Sequence, residues 1–254
     1  MSKAVRIQSI ERAIRILNCF SEKRRELGLT ELSLMLDLNK STLHGIVSTL
    51  KEHGFMDQDP ETQKYRLGLK LAELGNIVQQ SMDIVRISKP YIDHVSEILE
   101  ETVHIAVLDG KEVIYLEKKE SYQSMRIMTN IGARNVAYTT GVGKVILAYL
   151  EPEELENHLP ETLISLTPHT ISNRDALITE LQRIREQGYG MDNEENVLGL
   201  TCVAAPIFDK GRVIRYGLSV SGPSVRMTPE KVDESIRLVK EAASKITDIL
   251  NFSE

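Results

Sequence analysis

Between residues 40 and 50 the apolar positions Leu43, Ile46, Val47 and Leu50 recur at i, i+3, i+4 and i+7. That is the spacing of a helix with one buried face. Its opposite face carries Lys40, Ser41, Thr42, His44 and Ser48, all short polar or cationic groups. Just upstream, Leu32, Leu34 or Met35, and Leu36 predict a short helix running from a Thr30 cap through Asp37. Leu38-Asn39 makes the turn, Asn39 caps the second helix, and Gly54 ends it as a left-handed residue. Residues 9–20 predict an earlier helix, capped by Ser9, with Ile10, Ala13, Ile14 and Leu17 on one face; the polar stretch 23–28 reads as a loop. After Gly54, residues 55–58 and 64–67 predict two strands around a turn at Asp59-Pro60-Glu61-Thr62.

These elements predict a winged helix-turn-helix. It is either a compact packing unit alone or a reader of DNA. A helix with this polar face fits a major groove, where small hydroxyls and a cation near the N-terminus meet phosphates and base edges. The expected contacts are Lys40, Ser41, Thr42, His44 and Ser48 in the groove, with Lys64 or Arg66 on the flanking backbone.

Farther along, Leu67, Leu71, Leu74, Val78, Met82 and Val85 form a near-heptad seam interrupted by Gly68 and Gly75. Such a seam either folds back on its own winged unit or pairs with another chain; two-fold symmetry among helix-turn-helix proteins favours pairing. Pro90 is expected to open a helix over residues 91–101, with Ile92, Val95, Ile98 and Leu99 as its core stripe. His94 and His104 beside it read as structural.

The period then switches from helical to extended. Residues 104–108 and 113–117 predict a hairpin about Asp109-Gly110-Lys111, residues 125–128 a third strand, and residues 202–208 and 213–220 a further pair about Asp209-Lys210-Gly211. Helices are expected at 142–150, 174–187 and 229–252. The fold class is α+β with a mostly antiparallel sheet. The predicted organisation is a winged domain over 1–68, a linker helix over 69–82 and a larger domain over 83–254.

Composition narrows the picture. At 254 residues the chain accommodates two unequal domains, and 41% hydrophobic with 27% charged residues is ordinary for a soluble protein. There is no apolar run of membrane-spanning length and no apolar signal core, and Cys19 and Cys202 make no disulfide framework. A cytoplasmic protein with no membrane partner is expected. The net charge of −6 divides unevenly: residues 1–75 hold 12 Lys and Arg against 10 Asp and Glu, leaving 19 against 27 for the remainder. The mildly basic part is the one with the winged pattern.

Candidate ligand chemistry lies in the acidic part. Gly141-Val142-Gly143 opens an apolar helix, where free amides attract an anion; equally, the glycines serve a tight packing turn. The segment is not a P-loop, since Tyr138 stands where the first glycine would fall and Val145 follows Lys144. Ser219 and Ser221 share one face of a strand. Cys202 begins a neighbouring strand, and Asp192 lies in the loop-like stretch 190–195. An enzyme is the alternative, with Cys202 as nucleophile and Asp192, Glu194 and Glu195 in acid-base or metal chemistry. Against it, no histidine lies near Cys202 in sequence, the cysteine sits among apolar residues, and there is neither a paired-histidine metal motif nor a dinucleotide fingerprint. No catalytic residue and no cofactor are expected, although the acids and histidines of this part leave a bound metal open.

The pattern "SIERAIRILNCF … LTELSLMLDLNKSTLHGIVSTLKEHGFMDQDPETQKYRLG" closely resembles the N-terminal domain of the IclR family of bacterial transcriptional regulators. The likeness continues through "GLTCVAAPIFDKGRVIRYGLSVSGPSVRMT" and covers nearly the whole chain. It implies a GAF-like effector-binding domain and dimers that pair into tetramers. By this resemblance Gly141, Val142, Asp192, Leu200, Cys202, Ser219 and Ser221 line a pocket for small organic acids, with Met125 and Ile127 as its apolar wall. One position departs: Gly45 stands where relatives commonly carry arginine. The expectation is a ligand-responsive repressor that binds double-stranded operator DNA as a homodimer or dimer of dimers and is released by a small carboxylate metabolite.

Overall fold

The computed structural model describes residues 6–21, 23–127 and 129–252. It divides into two compact units, Met1–Ser81 and Met82–Glu254.

In the first unit, α1 (Gln8–Leu17), α2 (Leu29–Leu36) and α3 (Lys40–Glu52) precede a two-stranded wing, β1 (Met56–Gln58) antiparallel to β2 (Tyr65–Leu67). Ile16, Leu32, Leu36, Leu43, Val47, Met56 and Tyr65 form its core. Leu43 and Val47 are fully enclosed, each contributing roughly 1.5–3 kcal/mol by leaving water. Asn39 caps α3 as expected, its Oδ1 accepting from the Thr42 amide at 2.8 Å. Gly54 follows the helix at φ +75°. A Cβ on Gly68 would lie 2.1 Å from the Gly54 carbonyl oxygen, so only glycine lets the wing close against the end of α3. Residues 23–28 are not all loop, because Leu27 and Tyr65 exchange backbone hydrogen bonds at 2.9 and 2.8 Å.

Two caps differ from expectation. Ile7, not Ser9, precedes α1 and supplies no side-chain bond. Gly28, not Thr30, opens α2, where the Glu31 carboxylate accepts from the Gly28 amide at 2.6 Å. The face of α1 also turns: Ile16 is buried, whereas Ile10 and Ile14 are about half exposed, and on α2 Leu34 and Met35 are exposed. α4 (Leu69–Ser81) buries none of its residues, and Leu69, Leu74, Ile77 and Val78 face solvent.

The second unit opens with α5 (Asp83–Leu99), preceded by Met82 in extended backbone. Pro90 lies inside this helix rather than at its start. Its missing N–H and bulky ring are tolerated because the position is exposed, where water can meet the freed carbonyl. β3 (Thr102–Asp109), β4 (Glu112–Lys119), β5 (Arg134–Val136), α6 (Gly141–Leu147), α7 (Pro152–His158), α8 (Arg174–Gln187), β6 (Gly190–Asn193), β7 (Leu200–Asp209), β8 (Val213–Pro223) and α9 (Pro229–Phe252) follow. The six strands lie in the order β5-β4-β3-β8-β7-β6, every pair antiparallel.

Alternation along these strands sends Val103, Ile105, Val203, Leu218 and Val220 to one face, packed with α5 and α9. Ala106, Tyr115 and Ala204 face the other way, against α6, with α8 beyond. Residues 125–127 form no strand, and Met128 lies outside the described residues; the strand that pairs with β4 is β5. The stretch expected as a loop at 190–195 begins as β6, an edge strand. Among the described residues, no helix is long and apolar enough to cross a membrane.

Candidate functional site

In the winged unit, Lys40, Ser41, His44 and Ser48 are exposed along α3 and Thr42 is half-buried. The Ser41 hydroxyl donates to Asn39 Oδ1 at 3.0 Å, so the cap also orients the first polar turn. Lys51 Nζ donates to Gln58 Oε1 at 3.0 Å, tying the helix to the wing. The wing turn is held by Asp59, whose Oδ1 accepts from the amides of Glu61 and Thr62 at 3.0 and 2.7 Å. Lys64 is exposed at the wing. Arg66 is engaged, donating through Nε and Nη2 to Asp57 Oδ2 at 3.0 and 2.6 Å. That guanidinium, foremost, holds the Asp57 carboxyl below its ordinary range. Of the two basic candidates on the wing, Lys64 is the one without an ion pair among the described residues. A Cβ at Gly45 would meet nothing within 4 Å, so the exposed face of α3 is open there.

In the second unit, register assembles a buried polar patch. Asp192 pairs with Cys202, Cys202 with Ser221 and Ser221 with Thr102, one row across four strands. A second row runs Gly190, Ala204, Ser219, His104 and Lys118. Directly paired residues and alternate residues share a face, so both rows, and Leu200, look toward the α6 side. Asp192, Leu200, Cys202, Ser219 and Ser221 are all buried. Gly141 packs beside them: its Cβ would lie 3.3 Å from the Asp192 amide and 3.6 Å from Ala204 Cβ. Val142 packs over Gly217. Met125 is not brought into this group and stands 65% exposed, while Ile127 is half-buried.

The start of α6 combines both readings of its glycines. Thr140 Oγ1 accepts from the Gly143 amide at 3.0 Å, and the first-turn amides of Gly141 and Val142 have no acceptor within the helix. Gly143 is also a packing glycine, since a Cβ would fall 2.1 Å from the Ala137 carbonyl oxygen. Lys144, buried in the same helix, pairs with Glu195 and lies 3.9 Å from Glu180. The Glu195 amide donates to Asp192 Oδ1 at 2.7 Å and the Asn196 amide at 3.3 Å. α6, the turn after β6 and Asp192 are thereby one network.

Its electrostatics follow from burial. Desolvation raises the Asp192 carboxyl to about 6 against the lowering effect of the two amides and Lys144. Burial pushes the Cys202 thiol well up, with the charge of Asp192 adding to it. A thiol so placed is a poor nucleophile. His104, on this face, makes no hydrogen bond through either ring nitrogen. Thr102, His104, Tyr115, Thr140 and Lys144 also lie at this patch without having been expected there, and Glu195, the partner of Lys144, was expected only in acid-base or metal chemistry. The alternation Thr102-Val103-His104-Ile105 carried the signal for the first two, polar residues on one face of a strand.

Comparison with known proteins agrees with both halves. Residues 9–60 match the IclR helix-turn-helix domain, and residues 77–248 match the bacterial transcriptional regulator IclR C-terminal domain. The HTH-type transcriptional regulator KdgR of Escherichia coli (strain K12) is 36% identical over 249 residues, spanning 98% of this chain and 94% of that protein. The HTH-type transcriptional regulator XynR of the same organism is 38% identical over 248 residues, spanning 97% and 98%. The crystal structure of the Thermotoga maritima IclR has a TM-score of 0.78 at 32% identity, spanning 97% of this chain and 100% of that one.

Proposed function

Because the chain belongs to the IclR family of bacterial transcriptional regulators, we propose that it is a repressor whose hold on operator DNA is released by a small organic acid. Lys40, Ser41, Thr42, His44 and Ser48 meet the major groove, and Lys64 meets the flanking backbone. Two winged units act together in a homodimer, and pairs of dimers form the larger assembly. The exposed apolar residues of α1 and α4 support this reading, as surface that a second copy would take from water.

The observation that carries the effector reading is the buried row Asp192–Cys202–Ser221–Thr102. Polar side chains gathered on one sheet face, beside the first turn of α6, suit a small anion with few other contacts. A ligand with unequal affinity for the free and DNA-bound protein changes DNA affinity by the same factor that DNA changes its own. The buried Cys202, its thiol pushed well up, does not favour the enzyme alternative.

Thermal unfolding of the full chain against keto, sugar and aromatic acids tests the site. An acid at a hundred times its Kd adds about 2.7 kcal/mol to stability. The expected result is a stabilising acid whose effect disappears in the Ser219→Ala, Ser221→Ala double variant. Stabilisation that survives in this variant places the ligand elsewhere.

A further inference from the structure

Two residues of β3 share the face of Asp192, Cys202, Ser219 and Ser221, and they differ in one respect. Thr102 is engaged, its hydroxyl accepting from the Ser121 amide at 3.2 Å. His104 is 1% exposed and neither of its ring nitrogens has a hydrogen-bond partner. Its ring lies against that of Tyr115, centroids 4.9 Å apart, and the Tyr115 hydroxyl already accepts from Asn135 Nδ2 at 3.2 Å. Burial foremost, then the charge of Lys118, pushes the imidazole down to about 4, so the ring is neutral at pH 7. A neutral imidazole offers one N–H donor and one bare acceptor nitrogen. Buried polar atoms in native proteins are nearly always hydrogen-bonded. Two unmatched atoms on one buried side chain, beside a polar patch, mark a place that an incoming molecule completes.

The geometry points to His104 as a specificity-determining residue of the effector site, donating one hydrogen bond to the effector and accepting one from an effector hydroxyl, which makes the effector a hydroxylated carboxylic acid. This rests on the reading of that face as the effector site. A carboxylate carries lone pairs only; it meets the imidazole N–H and leaves the bare nitrogen unmet. An O–H is what the second nitrogen requires. The register sets the reach. His104 pairs directly with Ser219, about 5 Å away by strand spacing, and Ser221 is the next residue on the same face. A carboxylate at the two serines and a hydroxyl a few carbons away therefore bridge β8 to β3.

Isothermal titration of the full-length protein with two matched pairs, D-gluconate against hexanoate and 3-hydroxybutyrate against butyrate, tests the assignment. The hydroxylated member of at least one pair is expected to bind about tenfold tighter or more, because its absence strands buried polar atoms. His104→Phe should erase that preference, and His104→Gln, with one donor and one acceptor, should retain part of it. Equal binding within both pairs by the unaltered protein, or a preference that persists in His104→Phe, overturns the assignment and leaves the organic-acid reading standing. Failure of all four acids to bind overturns the assignment, and the keto, sugar and aromatic acids of the unfolding test decide the organic-acid reading separately. If His104→Phe does not fold, nitrogen-15 spectra of the unaltered imidazole decide: both ring nitrogens should shift with the hydroxylated acid, and no shift in either contradicts the role.

Discussion

Asp192 faces Cys202 directly across the β6–β7 pair, and its Oδ1 holds the amides of Glu195 and Asn196. Burial nevertheless dominates and leaves the carboxyl near 6, above its ordinary range. At pH 7 it is mostly ionised, and an anion bound beside it favours its protonation. Organic-acid affinity should therefore rise as pH falls, by about fivefold from pH 7 to pH 6. His104, near 4, stays neutral across that window. Titration of a bound acid at the two pH values checks this, with Asp192→Asn expected to flatten the dependence. Stability follows the same sign: the native state keeps a proton that the unfolded chain loses. The contribution is present below about 4 and is lost as pH rises through about 6. Equal affinity at pH 6 and pH 7 would contradict this account of Asp192.

Glu101 is fully buried just before β3 and ties it to the β8–α9 connection and the start of α9. Its carboxylate accepts from Arg226 Nε and Nη2 at 2.7 and 2.6 Å and from Lys231 Nζ at 2.9 Å. Glu101→Gln strands two cations, but both retain some exposure to water. The expected loss is about 2 kcal/mol, below the ~3–5 kcal/mol of a fully buried broken pair. Urea unfolding of the variant measures it, and an unchanged midpoint would mean the cluster contributes nothing net.

At the DNA face, the open space around Gly45 makes a restored cation a clean experiment. Gly45→Arg should gain helix stability of about 0.5–1 kcal/mol. It should also bind non-specific duplex more tightly, with the salt dependence steeper by about one ion. Lys40→Ala should do the reverse to both binding quantities. Anisotropy titrations across a range of salt concentrations read the slopes; if neither variant alters them, α3 does not meet phosphates at these positions.

Much of this was legible from local pattern. The caps and period of α3, the bounds of α8 and α9, and the β3–β4 and β7–β8 hairpins all depend on neighbours in sequence. What was hidden depends on distant partners. β6 reads as a polar loop because one of its two buried residues is Asp192, whose burial is offset by the amides of Glu195 and Asn196 and by the nearby charge of Lys144. Residues 125–127 have strand-forming composition, yet β5 takes the place beside β4. Pro90 looks like a helix start, but Ile84 and Ile87 before it pack into the core and hold another turn and more of helix in place. His104 alone suggested a core histidine; its register with Ser219 puts it on the same sheet face as the polar patch.

In the proposed function, one chain couples acid binding at the β-sheet patch to DNA binding at α3. Operator duplex selected from a random pool by the full-length protein, titrated with and without a stabilising acid, tests it most directly. A coupling of 1–3 kcal/mol is typical of such linkage, or about 5–150-fold in affinity. The acid should weaken operator binding within that range. The Ser219→Ala, Ser221→Ala variant should bind the operator normally and ignore the acid. An acid that binds the patch yet leaves operator affinity unchanged would rule out this coupling.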